Sequence, residues 1–215
     1  DQKSLQKMLR TVLQDSPDVS AIFSGSIGSL MDKIFGDINS PLGRFGNALA
    51  LTQISDEQWS DGIESKLKKA NKKITQEAVT HLLSLTQGHP YATMLIMQHT
   101  YMNVVFEEKQ IIKSDDISAG FRDAIESERD KHRLVIEKIL NYGKKPGEKG
   151  IEILRRIATD KDIYAGLNKD SPESKMTSRI LKKLELQGEI KRANKSWEIV
   201  NPLFNYFCKS DEGLY

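Results

Sequence analysis

Apolar residues recur along this chain at two spacings, and the spacings divide it. Leu5, Met8, Leu9, Val12 and Leu13 fall three and four apart, which predicts an amphipathic helix over residues 2–14. Two continuous apolar runs follow, at residues 19–23 and 47–54, the first ending in Ser24-Gly25-Ser26. Both read as buried strands, with a short helix over 29–35 and a loop at 39–44 between them. Helical spacing returns at 56–70, where Ser55 and Gln58 have the spacing of a capping box. It continues at 74–87, at 91–106 and in a long helix capped by Ser114, expected to break or bend near Asp130.

Gly88-His89-Pro90-Tyr91 is the turn this helical block is organised around. Gly88 sits where a helix end takes left-handed angles, and Pro90 where the next helix takes a residue of fixed φ with no N–H to satisfy. The N-terminus of that next helix offers N–H groups and the positive end of a dipole to a phosphate, with His89 as a further donor. The same residues also serve a plain corner between packed helices, and on their own they favour that reading.

After residues 142–148, rich in Gly, Lys and Pro and read as a linker, the pattern changes. Helices are predicted over 150–159, 162–167 and 174–187, the last opened by Ser171 and Pro172. Strands at 189–193 and 196–201 flank Asn194-Lys195 as a hairpin. That order is a winged helix-turn-helix, which can place a helix in the major groove. On the third helix Thr177, Ile180, Leu181 and Leu184 form a core side, while Lys175, Ser178, Arg179 and Lys182 share the opposite side. The hairpin adds Lys191, Arg192 and Lys195. The fold class is mainly α with minor β.

Charge sharpens this division. The whole chain has 32 basic and 30 acidic residues, which argues against a general nucleic-acid binder. Residues 144–195 alone hold 14 basic against 8 acidic, so duplex DNA is a candidate partner of that part, against the plainer reading of a solvated face. The single cysteine, Cys208, excludes an internal disulfide and cannot build a metal site alone, which fits a cytoplasmic setting. No apolar run has the length of a membrane span, so no membrane partner is expected.

Four stretches together resemble the C-terminal part of an archaeal-type ATPase of the STAND group within the AAA+ P-loop family. Residues 9–14 leading into 19–26 are similar to the sensor-1 strand and its lead-in. Residues 29–35, Gly43-Arg44-Phe45 and the strand to Ile54 follow in the family's order. Gly88-His89-Pro90 is similar to the GxP motif of the helical lid, and Asn201-Pro202-Leu203-Phe204 closes a winged helix. The resemblance implies three parts: a remnant of the α/β P-loop core at 1–54, a helical lid at 55–141 and a winged helix domain at 142–215. It implies nucleotide-binding roles for Ser24, Ser26, Arg44, His89 and Pro90: Pro90 near adenine, His89 near the phosphates, Ser24 or Ser26 at the strand end facing the γ-phosphate, and Arg44 as a phosphate-sensing or neighbour-sensing arginine.

The departure from the family is large. The chain has no G-x-x-x-x-G-K-[ST] and no strand ending in the acidic pair that holds Mg²⁺. ATP and Mg²⁺ are therefore expected to act in a parent protein whose P-loop region lies upstream of Asp1, with none bound to this chain and no catalytic residue in it. The expected role is a lid plus winged helix acting as a nucleotide-dependent switch. The alternative is a winged-helix DNA-binding regulator with a helical dimerisation or sensing domain, and a third reading is a protein-interaction module with neither activity. Both N-terminal strands would lack the neighbour between them, so a homodimer through exposed strands is a further expectation.

Overall fold

The computed structural model describes residues 2–25, 28–49, 54–194 and 196–210. In chain order the elements are α1 (Gln2–Gln14), α2 (Gly28–Met31) running into a π-helical turn (Asp32–Gly36), α3 (Asp56–Lys69), β1 (Lys73–Ile74), α4 (Gln76–Thr86) and α5 (Pro90–Phe106). There follow β2 (Ile111–Ile112), α6 (Ser114–Leu140), α7 (Lys144–Ala158), α8 (Pro172–Leu186), β3 (Ile190–Ala193), β4 (Ser196–Ile199) and α9 (Pro202–Lys209). The protein is mainly helical with minor β, as the apolar spacing predicts.

Two apolar cores hold it together. The first gathers Trp59, Ile63 and Leu67 of α3, Val79 and Leu82 of α4, Ile96 and Val104 of α5, and Ile117 and Ala124 of α6. The second gathers Ile136 and Ile139 of α6, Ile153 and Leu154 of α7, Ile180, Leu181 and Leu184 of α8, Ile190 and Ile199 of the hairpin, and Phe204 and Phe207 of α9. One helix, α6, thus serves both cores, its first half in one and its second half in the other. Helix α9 does the same, giving Leu203 to the first core and Phe204 to the second.

Local chemistry explains most of the boundaries. Ser55 accepts from the Gln58 N–H, and the Gln58 side chain accepts from the Ser55 N–H, closing the capping box on α3. Ser171 caps α8 through the Ser174 N–H, with Pro172 in the first turn. At α6 the cap differs from expectation. Ser114 is already helical, and Asp116 closes the start by accepting from the Lys113 N–H at 2.8 Å and from Lys109 Nζ at 2.7 Å. Burial opposes ionisation of Asp116, but those two bonds win and hold its carboxyl below the usual range.

Several expectations are corrected. The run at 19–23 forms no strand and is exposed throughout; the described part of the second run, residues 47–49, is likewise exposed and forms no strand. Residues 50–53 lie outside the described residues. A strand is stabilised by its neighbours, and no described segment here pairs with either run. Helix α6 runs unbroken through Asp130. Residues 144–148 of the expected linker are the first turn of α7: Pro146 sits where no N–H is needed, and Gly147 lets α7 approach the Leu140 backbone, a Cβ there falling 2.6 Å from its carbonyl oxygen. Residues 163–166 form turns rather than a helix, with Asp162 accepting from the Tyr164 N–H and Gly166 at φ +80°. The parallel pair β1–β2 leaves no mark in the apolar spacing, since two residues per strand are too few to make a pattern.

A candidate site between the helix corner and the hairpin

The corner between α4 and α5 is tied down by several contacts. Gln87 and Gly88 both take left-handed angles, φ 50° and 70°. Trp59 Nε1 donates to the Gly88 carbonyl at 3.1 Å. Thr93 Oγ1 donates to Thr86 Oγ1 at 2.8 Å, which in turn donates to the Leu82 carbonyl, and both threonines are fully buried. The His89 N–H donates to the Thr86 carbonyl at 2.9 Å. Helix α5 then starts with His89 as its cap and Pro90 in the first turn, the arrangement the sequence indicates.

His89 is half-buried. Its Nδ1 accepts from the Ala92 N–H at 3.4 Å, so the ring satisfies its own helix. Burial, and then the nearby charge of Lys191, lower its pKa, which keeps it neutral near pH 7. The dipole of α5 remains available, but its N-terminal donors are mostly used: His89 and Thr93 N–H go to backbone carbonyls and Ala92 N–H to the imidazole.

A cavity of about 640 Å³ opens at this corner, within the size range of small-molecule sites. One wall is the corner itself, from Ser84 to Pro90. The other comes from Asp160 after α7, from Lys191, Trp197 and Glu198 of the hairpin, and from Asn205, Tyr206 and Lys209 of α9. Ile54, at the end of the second apolar run, also reaches it. Lys191 Nζ lies 3.7 Å from a Glu198 oxygen across the hairpin, where the two residues are register partners. An anion in the cavity would compete with Glu198 for Lys191.

The residues singled out in the sequence therefore separate. His89 and Pro90 line the cavity. Ser24 is exposed outside any helix or strand, and Arg44 is exposed in a turn, at φ 56°, with its N–H donating to the Phe35 carbonyl; neither lines the cavity. Ser26 lies outside the described residues. Lys175, Ser178, Arg179 and Lys182 share the exposed side of α8, opposite the buried Thr177, Ile180, Leu181 and Leu184. Ser178 Oγ contacts the Ser174 carbonyl and Tyr164 Oη. Of the α8 cations, Lys175, Arg179 and Lys182 make no ion pair with any described residue, whereas Lys191 faces Glu198 and Arg192 stacks over Trp197, 4.9 Å from the ring centroid. Lys195 lies outside the described residues. Sequence reasoning misses Lys209, Asn205 and Tyr206, because α9 reads there only as the close of the hairpin unit. Among the described residues no cluster of His, Cys, Asp and Glu could hold a metal ion, and no helix is long and apolar enough to cross a membrane.

No protein-family model matches the chain, and no curated protein does. Among solved structures, a Walker-type ATPase of Pyrococcus abyssi superposes with a TM-score of 0.73 at 17% identity, over 97% of this chain and 58% of that one. The chain thus spans little more than half the length of that ATPase. At such identity the likeness is one of fold: nearly all of this chain folds like part of a Walker-type ATPase.

Proposed function

We propose that this chain is the lid and winged-helix portion of a STAND-type ATPase, a switch that reads the bound nucleotide without hydrolysing it. The observation that carries this reading is the shared cavity. The Gly88-His89-Pro90 corner of the first core and the hairpin and α9 of the second face one space large enough for an adenine nucleotide. A ligand touching both walls would favour one arrangement of the two cores over others, by as much as its affinity differs between them. Pro90 offers an apolar surface to a base; Lys191 and Lys209 offer charge to phosphates. The fold likeness to a Walker-type ATPase supports the assignment. The chain's own sequence has no Walker A motif, so the phosphate cradle, Mg²⁺ and the residues that activate water would belong to the parent protein.

Titration with a fluorescent adenine nucleotide tests this. Weak binding without turnover is expected, lost in Lys191→Glu and reduced in His89→Ala. Turnover of ATP by the chain that Arg44→Ala abolishes contradicts the reading.

A second reading, a winged-helix DNA-binding regulator, is favoured by one observation: the unpaired cations on the exposed side of α8. Weak duplex binding with steep salt dependence is expected. Each of Lys175, Arg179 and Lys182 replaced by Ala should flatten the slope of log affinity against log salt by roughly one unit. Binding unchanged by charge reversal at Arg179 and Lys182 would remove this role.

A further inference from the structure

Helix α5 contains no Asp, Glu, Lys or Arg in its 17 residues, in a chain that is 29% charged. One side packs on the first core through Ala92, Thr93, Ile96, Met97, Thr100 and Val104. The opposite side should then be polar. It is not: Tyr91, Met94, Tyr101 and Val105 are 37–46% exposed, and Met102 and Phe106 beside them are 58% and 91% exposed. Contiguous apolar surface of this kind marks an interaction site, and Tyr, Met and Phe are the side chains interfaces favour.

The order of this stripe says what covers it. Tyr91, Met94, Gln98, Tyr101 and Val105 follow one another at intervals of three, four, three and four, the seam of a two-helix contact. Gln98 is its midpoint. If a second α5 is laid antiparallel with a twofold axis at Gln98, Tyr91 meets Val105, Met94 meets Met102, and the one polar seam residue meets its own copy. An isologous interface of this kind requires a self-complementary patch.

The flanking charges agree. Helix α6 runs antiparallel beside α5. Its Lys131 Nζ lies 3.3 Å from Tyr91 Oη at one end, and its Asp123 Oδ2 accepts from Asn103 Nδ2 at 2.6 Å towards the other. Lys131 and Asp123 are both exposed; Lys131 Nζ also lies 2.6 Å from Glu128 Oε1, a buried carboxylate, so the partner's Asp123 would share a cation that is already paired. In the antiparallel arrangement the lysine of each copy lies at the aspartate end of its partner; a parallel arrangement would set like charges together.

We propose that this face of α5 is a homodimer interface, two copies packing antiparallel about an axis at Gln98. The inference is independent of the nucleotide reading. Six side chains of this size would remove on the order of 600 Å² from each copy, at the lower edge of stable interfaces, so dissociation in the micromolar range is expected.

Sedimentation velocity of the full chain over about 1–200 µM should show mass rising from 24.3 kDa to twice that value. The pair Met94→Glu and Tyr101→Glu, both at exposed positions, should raise the dissociation constant at least about 100-fold, while circular dichroism, and melting taken at about 1 µM where the wild type is largely monomeric, stay unchanged. Leu5→Glu with Met8→Glu, on the other exposed apolar helix, should leave the dimer intact. Asp123→Lys should weaken association; Lys131 is kept, because it also holds the buried Glu128. The axis is tested by oxidation: Gln98→Cys should form a disulfide dimer, Tyr91→Cys should not, and Cys208 is too buried to interfere. A monomer throughout that range overturns the proposal, as does a dimer that survives the Met94 and Tyr101 changes. Self-linking of Tyr91→Cys overturns the antiparallel order, and loss of the dimer through Leu5 and Met8 moves the interface to α1.

Discussion

Residues 2–49 and residues 54–210 are equally apolar to the eye, yet they bury their apolar side chains very differently. In the second region Leu82, Ile96, Leu154 and Leu184 are fully buried. In the first, Ile22 is 97% and Leu49 86% exposed, and Leu42 is the one large apolar side chain buried among the described residues. The amphipathic α1 forms, but Leu5, Met8 and Val12 stay exposed. The lesson concerns which patterns are self-sufficient. A helix satisfies its own backbone, so its spacing survives without a neighbour. A strand does not, and an apolar run becomes a strand only where another strand is there to receive its N–H and C=O groups.

The largest effect that should separate the two regions is truncation of a core side chain. Leu181→Ala should cost about 2–5 kcal/mol in urea denaturation, because the side chain is fully buried and leaves a cavity. Ile22→Ala should change the same measurement by less than about 0.5 kcal/mol. Similar costs at both positions would break the comparison.

Next comes the seam between α5 and α6. A Cβ on Gly120 would fall 2.1 Å from Thr100 Oγ1 and 2.7 Å from the Thr100 N. Backbone cannot yield as a flexible side chain does, so Gly120→Ala should cost about 1–3 kcal/mol, read as a lower melting temperature. The open Gly62, where an added Cβ meets nothing within 4 Å, should gain slightly from the same change.

A pH effect is specific to the joint of the two cores. His132 of α6 is 3% exposed, lies against the rings of both Phe204 and Phe207 of α9, and both its ring nitrogens lack partners. Burial is the main cause that lowers its pKa from 6.5 to about 4, against the opposing charge of Glu128. The unfolded chain therefore binds a proton first. Stability is full above pH 6.5 and falls as the pH drops towards 4, by at most about 1.4 kcal/mol per pH unit. His132→Phe should flatten that part of the curve and leave stability at pH 7 equal or higher, since no buried nitrogen goes unpaired. A smaller effect again is expected at the α3 cap, where Ser55→Ala should cost about 1 kcal/mol.

Much of the second region is legible in the sequence. Ser55 with Gln58, Ser171 with Pro172, and Gly88 with Pro90 mark helix ends by local chemistry, and all three act as marked. The core side of α8 is legible because four residues at helical spacing determine a face. The linker reading fails at Pro146 and Gly147. Both residues break helices in general, but at the first turn of α7 one needs no N–H and the other permits close approach to Leu140. The cavity is half legible: Gly88-His89-Pro90 marks one wall. The other wall, at Lys191 and Lys209, lies about a hundred residues further on, and only the packing of α9 on both cores brings it there.

Amide hydrogen exchange on a dilute, demonstrably monomeric sample tests the contrast most directly. The amides of Ile22 and Leu49 should exchange at nearly the rate of an unstructured peptide, while those of Ile96 and Leu181 should be among the slowest in the chain. Equal protection at all four positions would mean that the N-terminal apolar runs are paired after all, and would contradict the account.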